Sequence, residues 1–299
     1  MTNPTQVLAD ARPAASRLSD WIELGKPRIT LMVLVTAALG AVLARQGMPR
    51  LPVLSLLLLG TGLVAAGASA LNQVLERDAD ALMDRTANRP LPTGRIGAAP
   101  ATLFAVTLAS AGTVFLVVGT NLLTAGVGLA SLLSYVFVYT PLKRRTSLST
   151  VVGAVPGALP PVMGWTAITG SLDLGAAVLF GILFLWQLPH FLAIAWLCRR
   201  DYAAAGFPML PVVEPDGRST GRQASLYAAA LVPVSLLPSL LGLVGVPYFL
   251  GAALLSVVFL ASSVAFARAS SRQSAKRLLI ASVFYLPALL GVMVVDFLA

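Results

Sequence analysis

The sequence predicts an all-α integral membrane protein, and two observations support that prediction. Hydrophobic residues make up 57% of the 299 residues and charged residues only 11%, whereas soluble domains contain about 25% charged residues. In addition, about nine apolar runs are long enough to cross ~30 Å of hydrocarbon as helices. The predicted spans are 29–45, 51–71, 101–119, 122–140, 149–168, 175–197, 224–243, 248–267 and 278–297.

The distribution of positive charge predicts the orientation of these spans. With a cytoplasmic N-terminus, 19 of the 21 Lys and Arg residues lie in inside segments, and only Arg45 and Arg50 lie outside. This bias follows the positive-inside rule, so the net charge of +9 does not indicate a nucleic-acid partner. We expect a disordered cytoplasmic tail at 1–18, no cleavable signal peptide, and a single transmembrane domain at 19–299.

The most charge-dense window, residues 72–94, follows the second predicted span. Four oxygen-bearing side chains recur there at every fourth position: Asn72, Glu76, Asp80 and Asp84. On a helix of ~3.6 residues per turn they share one face. Since like charges at this spacing repel, a compensating cation is expected, and Mg²⁺ typically takes carboxylates together with substrate phosphates. The stripe predicts a site for a magnesium diphosphate, and an ordinary solvated segment is the alternative.

Basic residues near the stripe provide the complementary charge. Arg85 and Arg89 follow the stripe directly, and Lys143 and Arg144 follow the fourth predicted span on the same side of the membrane. Such side chains bind phosphate oxygens, so these four predict a diphosphate-binding clamp. Basic clusters also fix membrane topology, which is the alternative for the second pair. Lys26, just before the first span, has the same two interpretations.

The sixth predicted span carries polar residues that are costly in lipid. Gln187 and His190 lie within it, and Arg200, Asp201 and Tyr202 follow it. Polar residues at membrane depth usually face a cavity or the bundle interior. His190 is the only histidine in the chain. It is therefore a candidate catalytic or ligand-binding residue, with a hydrogen-bonded structural role as the alternative.

These motifs give the chain a resemblance to a known family. Its elements are Asn72-x-x-x-Glu76-Arg77-Asp78-x-Asp80-x-x-Met83-x-Arg85-Thr86-x-x-Arg89-Pro90-Leu91, Tyr139-Thr140-x-x-Lys143-Arg144, and Trp186-Gln187-x-Pro189-His190 with Asp201-Tyr202. They resemble the UbiA-type intramembrane prenyltransferases, and the Arg-Thr-x-x-Arg-Pro-Leu and Trp-Gln-x-Pro-His elements are similar to those of the branch that modifies haem. The similarity runs from about Lys26 to the C-terminus.

The resemblance implies a UbiA-type bundle whose central cavity opens near the cytoplasmic face of a bacterial inner membrane. It implies Mg²⁺-dependent farnesyl transfer from farnesyl diphosphate to the 2-vinyl group of haem b, with hydration to haem O, for haem-copper oxidase assembly. The implied catalytic residues are Asn72, Glu76, Asp80 and His190. The implied haem-binding second motif is Gln187, His190, Arg200, Asp201 and Tyr202. The implied partners are the bilayer and a downstream haem A synthase or oxidase assembly factor.

The chain departs from the superfamily pattern in two places. Glu76 stands where that pattern has Asp, and the second Asp-rich motif is reduced to His190 and the Arg200-Asp201-Tyr202 corner, so metal binding at the second motif stays open. The alternatives to haem as acceptor are a quinone precursor and chlorophyllide. A transporter is a further alternative, although charges at the inner face instead of the midplane argue against it. The last three spans are nearly free of ionisable residues and are predicted to be scaffold.

Overall fold

The computed structural model describes residues 16–298, and every regular element in that range is helical. The helices are α1 (Leu18–Leu24), α2 (Pro27–Arg45), α3 (Leu51–Asp80), α4 (Ala98–Gly119), α5 (Leu122–Leu133), α6 (Ser149–Thr169), α7 (Leu174–Leu197), α8 (Arg199–Ala204), α9 (Leu210–Val213), α10 (Arg218–Leu240), α11 (Val246–Ala269) and α12 (Arg272–Leu298). Helix α5 continues through a π-helical turn, Ser134–Tyr139, into Thr140–Leu142.

Nine of the helices in residues 16–298 are long and apolar enough to cross a membrane, which confirms the predicted spans. They are α2 to α7, with α5 counted together with its extension, and α10 to α12. The predicted disordered tail at 1–18 lies outside the described residues except for 16–18, and Leu18 already begins α1.

Helix α1 lies against the polar end of α3. Its Leu24 is fully buried, and Gln73 Nε2 of α3 donates a hydrogen bond to the Leu24 carbonyl at 2.9 Å. Arg95, in the segment after α3, donates to Asp20 at 2.9 Å. Hydrogen bonds from the Arg17 backbone N–H and the Arg95 side chain lower the pKa of the Asp20 carboxyl. Helix α1 therefore joins α3 to the polar segment that follows it.

Helices α6 and α7 form the centre of the bundle and are the most buried of the nine spans. Helix α6 packs against α2, α5 and α7, and α7 packs against α10 and α12. Pro160 in α6 has no N–H to donate to the Pro156 carbonyl one turn earlier. Ser131 Oγ of α5 donates to that carbonyl instead, at 3.1 Å. Neighbouring helices thus satisfy backbone groups that proline leaves free, as lipid requires.

The crossing of α3 and α4 brings two backbones into contact. A Cβ atom on Gly112 would lie 2.7 Å from the Gly60 carbonyl oxygen, and one on Gly60 would lie 2.9 Å from the Gly112 carbonyl oxygen. Small residues at such crossings allow the close packing on which helix association in lipid depends. This contact fixes the position of α3, whose polar end carries the predicted acidic site.

Helices α10, α11 and α12 share a buried network of hydroxyl groups. The Tyr285 hydroxyl lies 2.7 Å from Ser235 Oγ and 3.0 Å from Ser256 Oγ, and the Tyr248 hydroxyl donates to the Ser235 carbonyl at 2.9 Å. All four side chains are 2% exposed or less. The network is neutral and links the three helices that the sequence predicts to be scaffold.

Candidate functional site

The polar end of α3 carries three of the predicted metal ligands on successive turns. Asn72, Glu76 and Asp80 are 2%, 3% and 1% exposed. Helix α3 ends at Asp80, and Asp84 is exposed in the turns that follow. The prediction that Asp84 continues the helical stripe is therefore wrong. The Thr86 hydroxyl donates to the Asp80 carbonyl at 2.8 Å, and this bond closes a turn where the helix would have continued.

Both buried carboxylates of α3 are paired with a cation. Glu76 contacts Lys143 Nζ with its two oxygens, at 2.7 and 2.9 Å. Asp80 accepts a hydrogen bond from Arg89 at 2.7 Å. Arg89 comes from the segment after α3, and Lys143 from the end of the α5 extension. The structure thus brings together the predicted acidic stripe and two members of the predicted basic clamp.

Lys26 adds a third cation to this group. It has a left-handed backbone, with φ 46° and ψ 63°, which costs a non-glycine residue about 1–3 kcal/mol. Its Nζ donates to Asn72 Oδ1 at 3.0 Å. Desolvation, together with the nearby charge of Arg89, lowers the pKa of Lys26 to about 8. Of the two interpretations of Lys26, the geometry supports a place in the site.

We call Lys26, Glu76, Asp80, Arg89 and Lys143 the charged cluster. Three cations in it face two carboxylates. Lys143 is buried and the Arg89 side chain is 23% exposed, so this excess of positive charge is partly withdrawn from water, which is costly unless an anion compensates it. The cluster therefore suits an anionic ligand.

Aromatic rings surround the Lys143 ammonium group. Its Nζ lies 4.8 Å from the ring centroid of Phe207 and 5.5 Å from that of Tyr139. Phe207 is fully buried and packs in one apolar cluster with Met83 and Met209. The segment between α8 and α9 therefore contacts both Lys143 and the polar segment after α3. It excludes water from that side of the Glu76–Lys143 ion pair.

The π-helical turn Ser134–Tyr139 directs polar groups of α5 toward α3. The Asn72 side-chain amide donates to Thr140 Oγ1 at 3.1 Å, and the Tyr135 hydroxyl donates to Asn72 Oδ1 at 3.4 Å. Such turns are rare and occur frequently at functional sites. The sequence motif included Tyr139 and Thr140, but it gave no indication of Tyr135.

Arg85 connects the first polar segment to the predicted second motif. Its Nε lies 3.9 Å from Asp201 Oδ2, and its Nη2 lies 3.5 Å from the Tyr202 hydroxyl. The guanidinium group also lies 5.2 Å from the Tyr202 ring centroid. Arg85 and Asp201 are 39% and 22% exposed, so solvent screens this pair. The contact nevertheless shows that the two predicted polar motifs face each other.

Three other predicted site residues lie apart from these contacts. Arg144 and Arg200 are exposed, as is Asp84. Within residues 16–298, none of the three side chains takes part in an ion pair. The structure thus separates Arg144 from its neighbour Lys143, which is buried.

Gln187 and His190 lie within α7 and contact different helices. Gln187 Nε2 donates to the Ala154 carbonyl of α6 at 2.8 Å, and the absence of a side chain at Gly157 leaves room for the Gln187 amide. His190 Nδ1 lies 2.7 Å from Ser282 Oγ of α12. Neither residue has a hydrogen bond to the charged cluster among the described residues.

Comparison with known proteins identifies the family. The sequence pattern of the UbiA prenyltransferase family matches residues 33–287. This chain belongs to the UbiA prenyltransferase family. A protoheme IX farnesyltransferase from Solibacter usitatus is 50% identical over 291 residues, which cover 93% of this chain and 99% of that protein.

Solved structures of other proteins, several of them described as UbiA homologs, share the fold. One, described as digeranylgeranylglyceryl phosphate synthase, has a TM-score of 0.80 at 16% identity and covers 94% of this chain and 98% of its own. A UbiA homolog from Archaeoglobus fulgidus bound to DMAPP and Mg²⁺ has a TM-score of 0.63 at 18% identity and covers 92% and 99%. These similarities confirm the predicted UbiA-type bundle.

The donor atoms of this UbiA site suit a hard cation. Asn72, Glu76 and Asp80 offer amide and carboxylate oxygens on successive turns of α3. In the part of the chain that the structure describes, no group of three or more His, Cys, Asp or Glu side chains could hold a metal by itself. Because Mg²⁺ needs only one or two protein carboxylates when substrate phosphates supply other oxygens, these donors fit a magnesium ion that binds together with a diphosphate.

Proposed function

We propose that this prenyltransferase transfers a farnesyl group from farnesyl diphosphate to the 2-vinyl group of protohaem IX, with addition of water, to give haem O and diphosphate. The observation that carries the proposal is the 50% identity, over nearly the whole length of both chains, to a protein named protoheme IX farnesyltransferase. The charged cluster supports it, since three cations lie together at the polar end of an otherwise apolar bundle and only two carboxylates accompany them.

The diphosphate of the donor would bind the cations of the charged cluster. Lys26, Arg89 and Lys143 contact oxygen atoms of α3 side chains at 2.7 to 3.0 Å. Phosphate oxygens are equivalent acceptors and carry more charge. The three cations can therefore exchange the α3 oxygens for those of the substrate. Arg85, which lies 3.9 Å from Asp201, would contact the same group from the side of the second motif.

That exchange would free the α3 oxygens for a metal. Asn72, Glu76 and Asp80 are the residues that would hold Mg²⁺, and the bound ion would neutralise and orient the leaving diphosphate. The UbiA homolog from Archaeoglobus fulgidus, whose structure contains DMAPP and Mg²⁺, supports this assignment by analogy of fold. The buried positions of the three side chains keep competing water away from them.

The proposed reaction breaks a carbon–oxygen bond of the donor and forms a carbon–carbon bond to the acceptor. The C1–O bond of the farnesyl diphosphate breaks, and its electron pair leaves with the diphosphate. The vinyl π electrons of the acceptor form the new carbon–carbon bond to C1. The resulting cation takes up the oxygen of one water molecule and releases one proton. The cations of the charged cluster stabilise the negative charge that develops on the leaving group.

We place the site at the cytoplasmic face of a bacterial inner membrane. The excess of Lys and Arg in alternate loops supports this orientation, and the curated relatives are bacterial. A downstream haem A synthase or an oxidase assembly factor is the proposed recipient of the product, because haem O has to pass to another membrane protein.

Product analysis tests the proposal directly. Purified full-length protein in lipid nanodiscs is incubated with haem b, farnesyl diphosphate and Mg²⁺, and the pigments are separated and weighed by mass spectrometry. We expect a haem that is heavier by one farnesyl group and one hydroxyl group, and no such product without farnesyl diphosphate. Prenylation of an added quinone precursor or of chlorophyllide, with haem b unchanged, would refute haem as the acceptor.

A further inference from the structure

One serine hydroxyl determines the protonation of the only histidine in the chain. Ser282 Oγ of α12 lies 2.6 Å from the Leu279 carbonyl oxygen and 2.7 Å from His190 Nδ1. A carbonyl oxygen can only accept, and a hydroxyl group has one hydrogen to donate. Ser282 therefore donates to Leu279 and accepts from His190. It follows that Nδ1 carries the ring proton and that Nε2 carries the lone pair.

Trp186 holds the imidazole ring in place. The two ring centroids are 5.4 Å apart and the planes differ by 23°. The indole N–H of Trp186 donates to the Ser282 carbonyl at 2.8 Å. Ser282 of α12 thus accepts one hydrogen bond from the indole ring that stacks on His190 and another from His190 itself. His190 is partly exposed, and no described residue hydrogen-bonds to its Nε2.

We infer that Ser282 is a positioning residue that presents His190 Nε2 as an electron-pair donor to the iron of the haem acceptor. This inference rests on the proposed function. Histidines that bind metals almost always donate their other ring N–H to an oxygen atom, and neutral imidazole is a common axial ligand of haem iron. The step forms one Fe–N bond and transfers no electron.

The depth of His190 favours a ligand over a base. His190 lies in the interior of α7, and its neighbours on that helix are apolar apart from Gln187. Polar atoms at such a depth need a partner; Ser282 provides one for Nδ1, and no described residue hydrogen-bonds to Nε2. An iron that stays bound throughout the reaction provides that partner continuously, whereas a base is needed only when water adds. Iron ligation would also hold the porphyrin in one orientation relative to the farnesyl donor.

The first part of the test needs no haem. Since the chain has one histidine, ¹⁵N-histidine labelling of the tag-free full-length protein in nanodiscs reports His190 alone by NMR. We expect a protonated Nδ1 and an unprotonated Nε2, assigned through couplings to the ring C–H protons. An Nε2–H ring or a charged ring would overturn the inference, whatever the outcome of the farnesyl transfer assay.

Variants of the serine then test its role. Ser282→Ala removes the acceptor, so we expect a mixture of the two tautomers. Ser282→Thr keeps the hydroxyl and should keep the wild-type tautomer. Ser263→Ala is the matched control, because Ser263 is also fully buried and donates to the carbonyl of Phe259 at 3.0 Å, with no histidine beside it. A wild-type tautomer in Ser282→Ala would exclude the serine as the positioning group.

The last part tests iron ligation with haem b as the probe. We expect haem b to shift or broaden the Nε2 signal and to show the absorption bands of a nitrogen-ligated iron. Ser282→Ala should weaken haem b binding about 10- to 100-fold, and Ser282→Thr should restore it. His190→Ala should lose the bands, and free imidazole should restore them. An Nε2 signal that haem b leaves unchanged would refute ligation, even if the same protein makes haem O.

Discussion

The charged cluster and the hydroxyl network of α10 to α12 both bury polar atoms, but they do so with different chemistry. In the charged cluster, Arg89 and Lys143 each pair with a carboxylate of α3 at 2.7 Å, and the Lys26 ammonium donates to the Asn72 amide oxygen at 3.0 Å. In the hydroxyl network, Tyr285, Ser235, Ser256 and Tyr248 meet as neutral groups at similar distances.

This difference distinguishes side chains that can exchange their partners from side chains that cannot. Partly buried ions whose charges do not balance gain from an incoming anion and metal, so we expect a charged substrate to rearrange them. Neutral hydroxyl groups that are already satisfied gain nothing from such a ligand, and each contributes only about 0.6 kcal/mol to helix association in a membrane. Under the proposed function, the charged end exchanges its partners during binding, whereas the hydroxyl network keeps a constant structure.

The largest expected effect is loss of activity at the charged end. Asp80→Ala should lower haem O formation by at least about 10²-fold, because it removes a proposed metal ligand and leaves the charge on Arg89. Added Mg²⁺ should restore little, and the protein should stay folded in the membrane. Asp84→Ala, which changes an exposed carboxylate just beyond the helix, is the matched control and should retain most activity. Equal activity in the two variants would remove Asp80 from the site.

The second prediction separates stability from activity in one ion pair. Lys143→Met leaves the buried Glu76 without its ion-pair partner, so the free energy of unfolding should fall by about 3–5 kcal/mol. Glu76→Gln combined with Lys143→Met removes both charges and should recover most of that loss, as measured by denaturant unfolding in detergent. Activity should stay low in both variants. Recovery of haem O synthesis in the double variant would show that the pair is only structural.

The third prediction is that replacing Lys143 affects the binding of the two substrates to different extents. Lys143→Ala should weaken farnesyl diphosphate binding more than haem b binding, since the ammonium group is proposed to contact phosphate oxygens. Titrations of each substrate separately would measure the difference. Equal losses for the two substrates would instead indicate general disruption of the site.

The smallest expected effect lies in the hydroxyl network. Tyr285→Phe removes one hydroxyl from two hydrogen bonds, so stability should fall by about 1 kcal/mol. The rate of haem O formation should be unchanged at temperatures where the protein is folded. A loss of activity as large as that of Asp80→Ala would contradict the division between an exchangeable site and a constant scaffold.

The sequence allowed most of the fold to be predicted, because a run of apolar residues of sufficient length has few alternatives to a membrane helix. The sixth span illustrates this, since 175–197 was predicted and Leu174–Leu197 is observed. The prediction of the seventh span was less accurate. It started at 224, after Arg222, whereas the corresponding helix α10 begins at Arg218. Charged residues at the membrane surface end an apolar run without ending a helix.

The sequence indicated most residues of the candidate site, including Arg89 and Lys143, but not which side chains contact each other. Helical spacing grouped Asn72, Glu76 and Asp80 correctly, but it extended the stripe into a turn. Lys26 reaches Asn72 through a left-handed backbone, from 46 residues away in the chain. Ser282 lies on a helix predicted to be scaffold only, and serine is too common in membrane helices to indicate a role. Contacts of this kind depend on tertiary packing, which periodicity does not encode.

The separation of partners along the chain also has a consequence for biosynthesis. Asp80 and Arg89 are 9 residues apart, whereas Glu76 and Lys143 are 67 apart. At about 5–20 residues per second, the ribosome completes the first pair within about 2 s but the second only after roughly 3–13 s. During that interval Glu76 lacks its direct ion-pair partner, and burying the carboxylate without that partner would be costly. We therefore expect α3 to reach its final place only after α4 and α5 have been made.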